Sequence, residues 1–348
     1  MREERLLSTG TVFVSTGSFR ARPAEAVGQL INDGVNNIEL SGGVPHGGIE
    51  QSVEQLAASV RLQLHNYFPP ADPPFVFNLA SPVEGIRRRT IESMMHAIEL
   101  SSRIGAERYS FHAGFLVDPP VSFLGASWRS LERTESDQAQ ELFVDSVLEL
   151  RELAHRLGVG LLIENNVLTS GTKDQCGDDV LLMATGEQVA AVMEQLPDDL
   201  GLLMDVAHLK VTANTLGLDP VEELDFLSPY TAGYHLSDND GFTDTNGPVT
   251  RNSWFWSALK PNVEFATLEV APAPAGRARP LISRRRIRLR RNWHQYRDAA
   301  GCPGVKGPVP RPVSMSLHAR SYRSSAGSQR PKRHNGKPDP VPAWPAAR

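Results

Sequence analysis

The chain has 348 residues, 40% of them hydrophobic, and a formal net charge of −4, enough for one large domain or two smaller ones. Its two cysteines, Cys176 and Cys302, make neither a disulfide framework nor a thiolate metal site. No run approaches the roughly 18 uninterrupted apolar residues of a membrane span, and MREERLLSTGTVFVSTGS lacks the apolar segment of a secretory leader, so a soluble cytoplasmic protein is expected.

From residue 11 to 270, short apolar runs alternate with amphipathic stretches. TVFVSTG (11–17) is followed by a helical pattern over 23–34, opened by Pro23. NNIELSGG (36–43) precedes a shorter helical candidate over 49–60. FVFNLAS (75–81) reads as the third strand, with a helix over 83–105 that stops at Gly105. RYSFHAGF (108–115) leads to a helix over 137–157, ended by Gly158, and GLLIENN (160–166) to one over 185–196, ended by Pro197. LGLLMDVAH (200–208), AGYHLSD (232–238) and EFATLEV (264–270) complete the strands, separated by helical candidates over 220–228 and 252–260. Glycine and proline stops are ordinary helix punctuation.

Eight strands alternating with seven helices predict parallel βαβ units. A (β/α)8 barrel takes about 250 residues, which matches this body. The alternative, a doubly wound open sheet, would carry a glycine-rich phosphate turn after its first strand, and STGSFRARP lacks that spacing.

Most of these strands end in a polar side chain. Glu39, Asn78, His112, Glu164, Asp205, His235 and Glu269 each close an apolar run, and His208 follows Asp205 by three residues. A buried carboxylate is costly unless it is paired, hydrogen-bonded or bound to metal. At the C-terminal ends of barrel strands such residues converge on the face where barrel active sites sit. Glu164, Asp205, His235 and Glu269 make a mixed oxygen and nitrogen set without thiolate. Such a set suits one Mn²⁺, Mg²⁺ or Co²⁺ ion, with Zn²⁺ also admissible.

These pieces resemble the xylose isomerase-like TIM barrel superfamily, which holds sugar and sugar phosphate isomerases and epimerases and the endonuclease IV type of abasic-site nuclease. The resemblance is carried by IEN at Glu164, MDVAH at Asp205 and His208, YHLSD at His235 and LEV at Glu269, with FNLASP (77–82) and FHAG (111–114) extending it forward. It implies a metal held by Glu164, Asp205, His235 and Glu269, with Glu164 and Glu269 also serving as acid and base. His208, His112, Glu39 and His65 are the expected substrate-binding residues, with Glu39 alternatively orienting a ligand from behind. The implied chemistry is proton transfer next to a carbonyl, through an enediolate. The substrate would be a small-molecule sugar, with no membrane partner and with the oligomeric state open, a homo-oligomer included.

The nuclease alternative uses a multinuclear zinc site. His65, His112, His208 and Asp244 stand where more ligands would be needed, but Asp244-Thr245-Asn246 replaces the Asp-x-His of that branch. Among the remaining polar residues, Asp238 and Asp240 either brace His235 or form a solvated turn, and His96 and His155 belong to helix surfaces. Loops 116–136 and 167–184 suit lids or specificity elements, in which Trp128 could stack on a sugar ring and Arg129 or Lys173 meet an anion.

The composition breaks near Ala271. The last 78 residues hold 18 of the 36 Lys and Arg and 2 of the 40 Asp and Glu, so the body carries −20 and the tail +16. The body's charge opposes a grip on nucleic acid, whose binding rests on phosphate contacts. The tail, rich in proline and arginine, shows one helical stretch over 282–296 and is otherwise too polar to pack. It replaces the last helix expected of the barrel and reads as translation out of frame. On that reading a third functional class is an inactive barrel lacking its closing helix.

Overall fold

The structure is a computed structural model that describes residues 11–17, 19, 23–123, 127–260 and 263–270. Eight parallel strands close into a barrel in sequence order: β1 (Thr11–Ser15), β2 (Asn37–Ser41), β3 (Arg61–His65), β4 (Arg108–His112), β5 (Gly160–Glu164), β6 (Leu200–Asp205), β7 (Thr231–Leu236) and β8 (Phe265–Leu268). Parallel neighbours need a crossover between them. The crossovers here are α1 (Pro23–Asn32), α2 (Ile49–Ala57), α3 (Glu84–Arg103), α4 (Ser136–Leu157), the pair α5 (Ser170–Cys176) and α6 (Gly186–Met193), and the pair α7 (Val206–Leu216) and α8 (Pro220–Phe226). A 3₁₀ turn at Trp254–Ser257 makes the seventh, where the sequence predicts a longer helix.

The expected barrel is therefore present, with corrections to individual elements. The third strand is Arg61–His65, not 75–81. RLQLH alternates polar and apolar residues, and its leucines pack outward while Gln63 and His65 turn into the barrel. Residues 75–81 cannot join the ladder because side chains take their amides. The Phe77 amide donates to the Tyr67 hydroxyl (3.3 Å) and the Asn78 amide to Thr90 Oγ1 (3.1 Å). The run 200–208 also divides, with strand up to Asp205 and helix from Val206.

Alternation along each strand sorts the side chains into layers. Outward residues such as Ile38, Leu64, Tyr109 and Met204 pack under the helices. Phe13, Leu162, Leu203 and Phe265 fill the interior with a small apolar cluster. At the opening toward the strand N-termini, Arg61 pairs with Glu107 and Arg108 with Glu264, and the Arg108 guanidinium lies 4.3 Å from the centre of the Phe265 ring. The same alternation sends His65, His112, Glu164, Asp205 and His235 to one end.

The two long loops behave as packed structure. Isolated bridges join Phe115 to Leu181 and Val117 to Arg133, over a small core of Val117, Leu168, Val180, Leu181 and Ala184. Trp128 packs against that core, with its ring against Phe115 and its indole N–H donated to the Phe123 carbonyl at 3.0 Å. Asn78 ties the loops down by donating to Asp118 Oδ1 (2.7 Å) and to the Phe115 and Val117 carbonyls. The basic tail beyond 270, with its expected helix, lies outside the described residues.

Candidate metal centre

Glu164, Asp205, His235 and Glu269 stand at the ends of β5, β6, β7 and β8, and one ligand atom from each lies within 4.8 Å of the others. The first three are fully buried. His235 Nδ1 is 3.1 Å from Glu269 Oε2, 3.4 Å from Glu164 Oε1 and 3.9 Å from Asp205 Oδ2. None of these contacts is aligned as a hydrogen bond. Glu164 Oε1 and Oε2, Asp205 Oδ2 and His235 Nδ1 are all buried without a hydrogen-bond partner.

The other face of His235 explains this. Its Nε2 lies 3.1 Å from Glu39 Oε2, which also accepts from Gln63 Nε2 (2.8 Å) and Thr267 Oγ1 (3.1 Å). An ionised Glu39 fed by those donors accepts the hydrogen bond of His235 Nε2–H. Burial pushes the His235 imidazole down, but Glu39 and Glu164 outweigh it and hold it well above its usual range, so a proton sits among the carboxylates at Nδ1, where a dication would take its place. The donor set thus fits a hard or borderline divalent ion. Burial pushes the Glu39 carboxyl up, but the charge and hydrogen bond of His235, with His65 and Gln63, outweigh it and bring Glu39 down to about 2.

Asp205 has two tasks. Its Oδ1 caps α7 by accepting from the amides of Ala207 (2.7 Å) and His208 (2.8 Å), which leaves Oδ2 free for the cluster. Burial raises the Asp205 carboxyl to about 7, with Glu164 and Asp244 adding to the shift against His208 and His235. This cap is why His208 arrives from the first turn of a helix rather than from an extended strand. Asn165 braces both residues. Its side chain exchanges two bonds with the Asp205 backbone (2.7 and 3.1 Å), and its carbonyl meets His208 Nδ1 at 2.9 Å.

Three histidines ring Glu164. His65 Nε2 lies 3.2 Å and His112 Nε2 3.8 Å from Glu164 Oε2, and His208 Nδ1 lies 3.4 Å from Oε1. Burial pushes the Glu164 carboxyl up, but His112, His235 and His65 outweigh it and hold it well below the usual range. Burial holds His112 down at about 4, so it is neutral at pH 7. His208 Nε2 reaches Asp244 Oδ2 at 3.3 Å.

The residues the sequence names as metal and substrate ligands, Glu164, Asp205, His235, Glu269, His208, His112, Glu39 and His65, are placed together at this end, with two adjustments. Glu39 is expected to bind substrate, yet it is fully buried behind His235. His65, outside every strand the sequence reading draws, is delivered by β3 with its Nδ1 held by Ser110 Oγ at 2.9 Å. The sequence reading misses Gln63, Thr267, Ser110 and Asn165. Asn165 has a signal in standing next to Glu164, whereas the others depend on strand pairing.

Asp238 and Asp240 belong to a turn. Asp238 pairs with Lys210 at 2.8 Å, and Asp240 accepts the amides of Phe242 and Thr243. His96 bonds Glu50 on the surface. A cavity of about 270 Å³ opens beside Glu164, lined in part by His112, His208 and Asp244. Trp128, Arg129 and Lys173 are not in its wall, and Arg129 donates to the Asp174 carbonyl.

The family model described as xylose isomerase-like TIM barrel matches residues 34–261. Among curated proteins, no sequence matches. The fold is similar to the crystal structure of a D-tagatose 3-epimerase-like protein, with TM-score 0.57 and 16% identity over 83% of this chain and 95% of that one. It is also similar to the 3-keto-D-glucoside 4-epimerase YcjR from E. coli (TM-score 0.54, 12% identity, 76% and 93% covered). A third likeness is to the IOLI protein with a binding zinc atom (TM-score 0.53, 14% identity, 75% and 89% covered). At these identities the solved structures speak for the fold alone.

Proposed function

The chain belongs to the xylose isomerase-like TIM barrel family, and on that premise we propose that it is a divalent-metal-dependent sugar isomerase or epimerase. The observation that carries this reading is the set of orphaned, buried polar atoms of Glu164, Asp205 and His235, grouped with Glu269 at the strand ends. Glu164, Asp205, His235 and Glu269 would hold the ion. When bound, a divalent ion orients a hydroxycarbonyl substrate and offsets the negative charge of an enediolate. Mn²⁺, Mg²⁺, Co²⁺ and Zn²⁺ all suit such ligands.

The chain's own residues supply the remaining steps. Glu164 and Glu269 come from β5 and β8, on either side of β7, and each would meet one face of the substrate. One carboxylate removes the proton from the carbon next to the carbonyl, and the other returns one to a new carbon or face. His208 and neutral His112 line the cavity beside Glu164 and are placed to hydrogen-bond substrate hydroxyls. The solved relatives include proteins named as sugar 3- and 4-epimerases, which supports this class.

A specific observation favours a second reading. His65, Glu164 and His235, and likewise His112, Glu164 and His208, form further three-residue groups with ligand spacing. A multinuclear zinc site of the abasic-site nuclease type would use them. Asn246, where that branch needs a second histidine, instead lies 3.4 Å from Ser237 Oγ.

Metal content per folded chain, by elemental analysis, separates the two. About one ion per chain, lost in Glu164→Ala/Glu269→Ala, together with ketose-dependent incorporation of solvent deuterium, is expected. Several zinc ions per chain and cleavage of abasic DNA would replace the isomerase with the nuclease. A folded chain that takes up no metal would overturn both.

A further inference from the structure

Asn66 directly follows His65, at the point where β3 ends beside Glu164. Its backbone is fully committed. The amide donates to the Ser110 carbonyl at 2.7 Å, and the carbonyl accepts from the buried Tyr109 hydroxyl at 2.7 Å. Held between them, Asn66 adopts φ 45°, in the left-handed region. Asparagine tolerates that conformation better than most residues, and glycine tolerates it better still. The backbone therefore accounts for an asparagine or a glycine here, but not for what the side-chain amide does. Asn66 is 5% exposed and lines the cavity of about 270 Å³, and its Oδ1 and Nδ2 have no hydrogen-bond partner among the described residues.

Two neighbours in the same wall also have capacity left. Asn166, likewise 5% exposed, donates from Nδ2 to the carbonyls of Ala113, Gly114 and Leu182, which leaves its Oδ1 unspent. The Tyr67 hydroxyl accepts from the Phe77 amide at 3.3 Å and keeps its own proton to donate. Burial raises the Tyr67 phenol, so it holds that proton across the neutral range. Phe77, Leu79 and Met94 fill the wall between polar groups. The cavity meets the cluster through His112 and His208, which line it and stand 3.8 and 3.4 Å from the Glu164 carboxylate oxygens.

Resting on the isomerase reading, we propose that Asn66 is a specificity-determining residue that holds one hydroxyl of the ketose chain remote from the carbonyl, donating through Nδ2 and accepting at Oδ1. Asn166 Oδ1 and the Tyr67 hydroxyl are the acceptor and the donor that remain for a neighbouring hydroxyl. A hydroxyl is the group this set recognises, because it donates and accepts at once. Buried amides are normally satisfied, and a site built around a substrate hydroxyl disfavours the analogue lacking it by leaving its own polar groups unpaired.

The test uses the full metal-loaded chain, with deuterium uptake from D₂O as the readout. Ketohexoses are screened first, and the fastest is compared with its forms lacking a single hydroxyl on each carbon remote from the carbonyl. One deoxy form is expected to lose about tenfold or more in kcat/KM. Asn66→Gly, which suits the left-handed backbone and removes the amide, should lose a similar factor on the parent ketose while keeping its metal. On that variant the same deoxy form should lose less than about threefold more, because the partner of the missing hydroxyl is already gone. Asn66→Asp, which keeps an acceptor and removes the donor, should lose part of the discrimination and serves where the glycine variant does not fold. If no deoxy form falls on the unsubstituted chain, or if the two losses multiply in whichever variant folds, the Asn66 contact is overturned and the isomerase stands. No exchange with any ketose, in protein that holds its metal, overturns the isomerase reading and this one with it.

Discussion

Glu39 is the residue on which the geometry of the centre turns. It sits on β2, 196 residues from His235 in sequence, and fixes which nitrogen of that imidazole carries the proton. Removing such a partner typically costs about 10- to 100-fold in metal affinity. Glu39→Leu should show a loss of that size in calorimetric metal titration. Glu39→Gln, which keeps an acceptor for His235 Nε2–H, should lose less, and wild-type affinity in both variants would refute the positioning role. Glu164, Asp205, His235 and Glu269 were legible one at a time, because each is a polar residue closing an apolar run. Glu39 was legible as present but not in its task, since no local pattern says which imidazole a buried carboxylate will meet.

Elements set how closely these residues approach. At the end of β1, a Cβ on Gly17 would stand 2.9 Å from Glu269 Oε1 and 3.2 Å from Ser41 Oγ. Gly17→Ala is expected to displace Glu269 and weaken metal binding about tenfold or more, with little change in thermal midpoint, as read by titration and calorimetry on one preparation. Gly233 in β7 behaves differently. Its Cβ would stand 2.3 Å from the Phe265 ring, held edge-on to Phe13 inside the barrel. Gly233→Ala should therefore cost about 1–3 kcal/mol of stability by overpacking, measured by chemical denaturation; an unchanged midpoint would mean that Phe265 can yield. The elements misread in the sequence share one cause. RLQLH hides its strand because the residues it turns inward are polar, and α7 hides behind β6 because Asp205 ends the strand and caps the helix in one step.

For the whole molecule, the four proposed ligands converge at one end of the barrel and would couple metal, pH and stability. Asp205 is raised to about 7, above its ordinary 3.8. A carboxyl raised in the folded state stabilises the metal-free protein most below 3.8, and that contribution is lost as pH rises through about 7. Metal needs the deprotonated carboxylate, so affinity should climb across the same range. The chelator-treated chain is expected to melt at a lower temperature at pH 8 than at pH 5.5, and added Mn²⁺ should raise the midpoint more at pH 8. The opposite ordering in differential scanning fluorimetry would remove Asp205 from the site. The compositional break near Ala271 also belongs to this scale. We propose that the segment from residue 271 to the end is an out-of-frame product, and an uninterrupted frame in the native locus would overturn that. The described ligands all lie within residues 11–270.

The sequence by itself determined the alternation of strand and helix, the barrel class and four polar residues, Glu164, Asp205, His235 and Glu269, that converge at one end. These are local properties: apolar runs, glycine and proline stops, and polar residues at fixed places along a strand. The tertiary structure alone decided that β3 is Arg61–His65, that His65 reaches Glu164, and that Glu39, Gln63 and Thr267 form one hydrogen-bonded group behind His235. Thr267 and Glu39 are 228 residues apart. Closing the barrel brings β8 against β1, with β2 next to it, and the inward parity of each strand places both side chains on the same side. No short-range pattern encodes that meeting, because it depends on the closure of the whole ring of strands.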